Sequence, residues 1–145
     1  MNEKRYAQTI TILNKAGLRP TKQRIALGDR LFGSGNRHVT AEALYSEANQ
    51  LGVKVSLATV YNTLHQFCKV GLLREVLVGP GNRYFDTNTS PHHHFYFQDS
   101  GRIADIAPDE VSVSKLPCVP SGLELAGIEI VVRVVSTDSD PKTKN

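Results

Sequence analysis

The run Pro91-His92-His93-His94-Phe95-Tyr96-Phe97 carries most of the metal-ligating chemistry in this chain. It reads as a strand starting at the proline. Successive side chains of a strand point to opposite faces. His92, His94 and Tyr96 therefore share one face, and His93, Phe95 and Phe97 the other. Imidazoles two residues apart lie ~6.6 Å apart at Cα, so both rings can converge on one ion. A bare His-x-His is equally compatible with an ordinary surface pair, so the spacing alone leaves both readings open. Hydrolytic use of such a cluster would need an open metal position and a nearby general base. Carboxylates near the run are few and no nucleophile motif is present, so an enzyme is not expected.

The remaining chemistry is sparse. Cys68 and Cys118 are the two cysteines, too few for a disulfide framework or a four-thiolate zinc site. No apolar run approaches the ~20 residues of a membrane span, and the first 15 residues lack a signal-peptide pattern. A cytoplasmic, reducing setting is expected. The 145 residues carry a net charge of +3, unevenly spread. Residues 1–90 hold 12 Lys/Arg against 6 Asp/Glu, and residues 91–145 hold 5 against 8. A basic front half suits a surface that meets phosphate.

The elements that must position these groups follow from periodicity and caps. A helix is predicted over 3–16, with Tyr6, Ile10 and Leu13 stacked and Gly17 ending it. Thr21 caps a second helix carrying Ile25, Leu27, Leu31 and Phe32. Thr40 caps a third, with Ala43, Leu44, Ala48 and Leu51 along it and Glu42 near its positive end. Ser56 caps a fourth that runs to about Val70. Its stripe Leu57, Val60, Leu64, Phe67, Cys68 is apolar. Its other face presents Ala58, Thr59, Asn62, Thr63, Gln66 and Lys69, mostly short hydrogen-bonding side chains that suit base edges in a major groove. A hairpin follows: Leu73–Val78, a turn at Gly79-Pro80-Gly81-Asn82, and Arg83–Asp86. Helix, turn, helix and hairpin make a winged helix-turn-helix, with Arg83 at the tip of the wing. Further on, Gly101–Ile106 and Ile128–Val135 read as strands, with a short helix at about Ser121–Ala126 between them. Exposed β-branched strands in so small a half call for a second subunit.

The segments Ala16-Gly17-Leu18-Arg19-Pro20-Thr21 with Arg24, His38-Val39-Thr40-Ala41-Glu42 with Leu44-Tyr45, and Leu57-Ala58-Thr59-Val60-Tyr61-Asn62-Thr63-Leu64 resemble the ferric uptake regulator family of bacterial transcription factors. The resemblance covers about residues 10–106. Asn62 after Tyr61, the triple histidine before Phe95-Tyr96-Phe97, and the tail Gly127–Val135 look closest to the iron response regulator subgroup. The resemblance implies an α+β chain: a winged-helix DNA-binding domain over 1–87, a small α/β dimerisation and sensing domain over 88–136, and a disordered tail over 137–145. It implies a homodimer on double-stranded DNA. Tyr61 would reach bases or thymine methyls, Arg19 the neighbourhood of the minor groove, and Arg24 a phosphate. Many relatives have arginine where this chain has Asn62, which can still pair with adenine.

The same resemblance places His38, Asp86, His92 and His94 as ligands of one regulatory divalent metal per protomer, manganese, iron or zinc. With ligands drawn from both domains, metal would favour the DNA-competent arrangement. Haem is implied as an antagonist of DNA binding. Cys118 is followed by Val119 rather than proline, so His92, His93 and His94 are the expected axial ligands. Phe97 and Ser100 stand where the family has its first zinc-binding Cys-x-x-Cys pair, and no structural zinc is expected. His93 is expected to lack the partners of a further family site. The rival reading is a metal or haem carrier without specific DNA binding.

Overall fold

Three hydroxyl side chains set where helices begin. Thr21 Oγ1 accepts from Arg24 N at 3.2 Å, Thr40 Oγ1 from Ala43 N at 3.1 Å and Ser56 Oγ from Thr59 N at 3.0 Å. Each satisfies an amide that the first helical turn leaves unpaired. The computed structural model describes residues 3–79 and 81–137. Its first helices are α1 (Glu3–Lys15), α2 (Lys22–Phe32), α3 (Ala41–Gln50) and α4 (Leu57–Lys69). At the end of α4, Gly71 adopts φ +82° and Leu72 N reaches back to Phe67 O at 2.9 Å, a left-handed stop that a glycine accepts without penalty. The chain divides into two compact units, Met1–Thr89 and Ser90–Asn145.

In the first unit the apolar stripes of the four helices meet. Leu13, Leu27, Leu31, Leu44, Val60, Leu64, Phe67 and Phe85 are fully buried there. Burying each side chain of this size contributes roughly 1.5–3 kcal/mol. Gly28 permits a close crossing, since a Cβ on it would stand 2.8 Å from Thr9 Cγ2 on α1. A three-stranded antiparallel sheet completes the unit, in the order β1 (His38–Val39), β3 (Asn82–Asp86), β2 (Arg74–Gly79). The two-residue β1 has no pattern of its own in the sequence and forms by tertiary pairing. Its register is His38 opposite Asp86 and Val39 opposite Phe85. Arg37 N donates to Thr87 Oγ1 at 2.8 Å, and Thr87 N donates to Arg37 O at 3.1 Å, which pins that edge.

In the second unit β4 (His93–Phe97) is the centre of a mixed sheet. β5 (Arg102–Ile106) pairs with it antiparallel and β6 (Val131–Val134) parallel. A parallel neighbour requires a long crossover, and residues 107–130 supply it. The helix expected at about Ser121–Ala126 is not formed. Gly122 sits at φ +84°, and Leu123 N closes a turn onto Pro120 O at 3.1 Å. Six residues with a left-handed glycine cannot repay helix nucleation. The crossover has one short 3-10 turn, Pro108–Glu110. The last strand is also shorter than its β-branched run, because only Val131–Val134 finds β4 as a partner. Ser136 N donates to Asp99 Oδ2 at 2.7 Å. The expected tail beyond Thr137 lies outside the described residues. Secondary structure is thus α+β, and among the described residues no helix is long and apolar enough to cross a membrane.

Candidate DNA interface and metal centre

Helix α4 buries Val60, Thr63, Leu64 and Phe67. Ala58, Asn62, His65, Gln66 and Lys69 stand exposed, and Thr59 and Tyr61 are half-buried. Thr63 therefore does not share the exposed face expected of it. It lies three residues after Val60 and four before Phe67, inside the buried stripe. His65 takes its place on the outer face. Spacings of four and seven from Ala58 to Asn62 and His65 could have signalled this.

Several side chains on and beside this face are tied down. Tyr61 Oη donates to Glu42 Oε1 on α3 at 2.6 Å. This bond raises the Tyr61 hydroxyl pKa, and it holds the Glu42 carboxyl below its usual range. The Tyr61 ring stacks on His65 with centroids 6.4 Å apart, and His65 meets the Phe85 ring edge-on at 5.8 Å. Arg24 Nη1 donates to Arg19 O at 2.9 Å and Nη2 to Gln66 Oε1 at 3.1 Å, joining α2 to α4. Arg19 itself is exposed. In the wing, Arg83 pairs with Glu75 and remains 46% exposed. A cleft of about 240 Å³ separates Tyr61 from Leu77, Gly81, Asn82 and Arg83. Its lining gives a concave, mixed apolar and basic surface between helix and wing.

Deeper in the first unit, Glu47 binds two guanidinium groups. Arg37 Nη2 reaches Glu47 Oε2 at 2.6 Å and Arg30 Nη2 reaches Oε1 at 2.8 Å. Arg37 chiefly, with Arg30, lowers the Glu47 carboxyl pKa against the opposing effect of burial. Burial first, then the charge of Glu75, pushes the Cys68 thiol up to about 11.

The metal-type donors occur as two sets, one in each unit. In the first, the β1–β3 register brings His38 Nε2 to 3.1 Å from Asp86 Oδ2, with Asp86 1% exposed. In the second, His92 Nε2 and His94 Nε2 stand 3.3 Å and 3.5 Å from Asp105 Oδ1. Within this second set the ligand atoms of His92, His94 and Asp105 lie within 4.8 Å of one another. The two rings are 4.5 Å apart between centroids, which agrees with the shared face read from the alternation. Asp105 was not singled out in the sequence. Its signal was there, because the hairpin from β4 to β5 pairs His94 with Asp105.

The donor set fits a divalent cation. His92 Nδ1 lies 2.7 Å from the Ser90 carbonyl oxygen, so Nδ1 carries the proton of that bond. In the neutral ring the Nε2 lone pair then faces the Asp105 carboxylate. Two acceptors face each other favourably only with a proton or a cation between them. Two ligands each ~2.1 Å from one tetrahedral ion stand ~3.4 Å apart, which is the spacing found here. His93 is oriented away from this set: its Nδ1 accepts from Ile130 N at 3.1 Å. His93 is thus bonded to a backbone amide, which is not one of the ligand partners of a further family site. It fastens the chain entering β6.

A profile of the ferric uptake regulator family matches residues 15–133. The peroxide-responsive repressor PerR of Staphylococcus epidermidis is 36% identical over 98 residues, covering 68% of this chain and 65% of that protein. PerR of Staphylococcus aureus (strain Mu50) is 34% identical over 103 residues, 71% of this chain and 69% of its own length. The matched stretch thus spans about two thirds of these relatives' length. Among solved structures, the ferric uptake regulator of Pseudomonas aeruginosa with manganese superposes with a TM-score of 0.69 at 28% identity, over 90% of this chain and 98% of that one. The regulator of Vibrio cholerae gives a TM-score of 0.66 at 23% identity, over 88% and 98%, a likeness of fold alone. Together with the winged helix-turn-helix and the imidazole–carboxylate sets, these matches place the chain in the ferric uptake regulator family.

Proposed function

We propose that this chain is a cytoplasmic transcriptional repressor, not an enzyme, which binds double-stranded DNA as a homodimer under control of a divalent cation. The observation that carries the reading lies in β3. This strand presents Arg83 near the wing tip at one end and the ligand-type Asp86, paired with His38, at the other. A cation held at Asp86 acts on the strand that carries the wing. α4 supplies the groove-facing side chains Ala58, Thr59, Tyr61 and Asn62, with Arg19, Arg24 and Arg83 toward the backbone. His38 and Asp86 offer two donors and His92 and His94 two more, the number a tetrahedral ion takes. Asp105 is available as a fifth. Mn²⁺, Fe²⁺ and Zn²⁺ all suit such ligands. A cation that needs donors from both units stabilises the arrangement providing them, to the extent of its differential affinity. A dimer engages half-sites ~34–36 Å apart only in a matching arrangement.

The effector is proposed to be haem, as in the iron response regulator subgroup, through His92, His93 or His94. A peroxide response is the second reading, favoured by the 34–36% identity to PerR repressors. Untagged protein, loaded with Mn²⁺ or stripped of metal, is tested against a duplex that it enriches from a random pool. Metal-dependent, salt-sensitive binding of that duplex, lost on Tyr61→Ala, is expected. Selective binding that ignores metal removal contradicts metal control. Metal binding with no sequence selection would instead favour a carrier. Release of the duplex by haemin, with a Soret band that shifts when the three strand histidines are replaced, supports haem. Release by hydrogen peroxide alone supports the second reading.

A further inference from the structure

A carboxylate is a strange neighbour for a side chain that is to enter a groove lined with phosphates. Glu42 is exposed in the first turn of α3, and its Oε1 accepts the hydroxyl proton of Tyr61 at 2.6 Å. The amide end of α3 favours the negative charge there, so the carboxylate is stable without any basic partner. Tyr61 is consequently held at both ends. Glu42 holds its hydroxyl, and His65 stacks on its ring while resting on Phe85. With the phenolic proton committed to Glu42, what Tyr61 offers DNA is the ring, its edge and a hydroxyl oxygen that can only accept. The charge on Glu42 also repels phosphate, a repulsion outweighed only where the ring finds favourable base contacts.

Building on the DNA-binding reading above, we propose that Glu42 is a positioning and specificity residue: it fixes the Tyr61 ring for base contact and penalises duplexes on which that ring does not seat. The bond from Tyr61 holds the Glu42 carboxyl below its usual range, as expected of an ionised carboxylate that accepts a hydroxyl proton. Glu42 contributes to selectivity more than to affinity.

The test uses full-length, Mn²⁺-loaded protein with Glu42→Ala, Glu42→Gln, Tyr61→Phe and the Glu42→Ala/Tyr61→Phe pair. Two duplexes are compared, one enriched from a random pool by the wild-type protein and a shuffled version of it. Glu42→Ala is expected to lower the selected-to-shuffled affinity ratio about tenfold and to tighten binding of the shuffled duplex. Glu42→Gln, which keeps an acceptor and loses the charge, should tighten the shuffled duplex more than the selected one and keep only the part of the selectivity that comes from holding the ring. Tyr61→Phe, nearly isosteric, should lose the ring-holding part instead, without tightening the shuffled duplex. The double variant should be no less selective than Glu42→Ala alone, because both changes remove one bond. Additive losses, or a Glu42→Ala protein with the wild-type ratio, overturn the proposal while leaving the DNA-binding reading intact. A wild-type protein that enriches no sequence overturns both.

Discussion

His38 and Asp86 are cross-strand partners: the two-residue β1 pairs with β3 and lays them opposite each other, with Nε2 and Oδ2 3.1 Å apart. Helix α3 begins three residues after His38, with Thr40 as its cap. One backbone pairing thus links a metal-type donor pair, the wing strand and the helix that carries Glu42.

If both donor sets serve one cation, single replacements in either set should fail alike. His38→Ala, Asp86→Asn, His92→Ala and His94→Ala should each weaken Mn²⁺ or Zn²⁺ binding by about 100-fold or more, beyond the 10–100-fold expected of outer partners. Asp105→Asn decides whether that carboxylate is a ligand or an orienting group, by falling with the former or the latter. His93→Ala should leave metal affinity near wild type, since its ring bonds Ile130. Calorimetric titration of metal-free protein reads each case, and tight binding that survives His38→Ala would remove the first set from the site.

Thr63 and Asn62 are adjacent in sequence but differ in burial. Asn62→Ala should weaken the selected duplex by roughly 1–3 kcal/mol. Thr63→Val should hold DNA affinity within about twofold of wild type, a buried change away from the groove. Electrophoretic mobility shifts at fixed salt distinguish the two. A large loss for Thr63→Val alone would put the wrong face toward DNA.

Glu47 stabilises the first unit in a pH-dependent way. Its carboxyl pKa is depressed in the folded protein, chiefly by Arg37. Stability from the pairing is therefore present above the unfolded value of about 4.3 and is lost as pH falls through the lower folded value. Glu47→Gln should cost about 1–3 kcal/mol at pH 7, and the gap from wild type should shrink below about pH 4. Urea denaturation at several pH values measures it. A gap that widens on acidification would contradict the assignment.

Cys68 should resist alkylation. Its thiol is half-buried and pushed up to about 11, whereas Cys118 is exposed. The thiolate is the reactive form. Iodoacetamide at pH 7.5 should label Cys118 first and Cys68 only in urea, as peptide mass spectrometry would show.

Local patterns determined much of this chain. Hydroxyl caps at Thr21, Thr40 and Ser56, glycine stops and 3.6-residue apolar stripes each act within one or two turns, so they can be read from neighbours alone. The same holds for the alternation that puts His92 and His94 together. Only the tertiary structure decided the rest. β1 exists because β3 lies beside it, Asp105 joins the histidines through the β4–β5 register, and Thr63 turns inward because the core needs the position between Val60 and Phe67. The crossover remains irregular because Gly122 and the prolines leave no helix long enough to nucleate. Pairing and burial depend on residues far away in sequence, and periodicity carries no record of which strand will stand alongside.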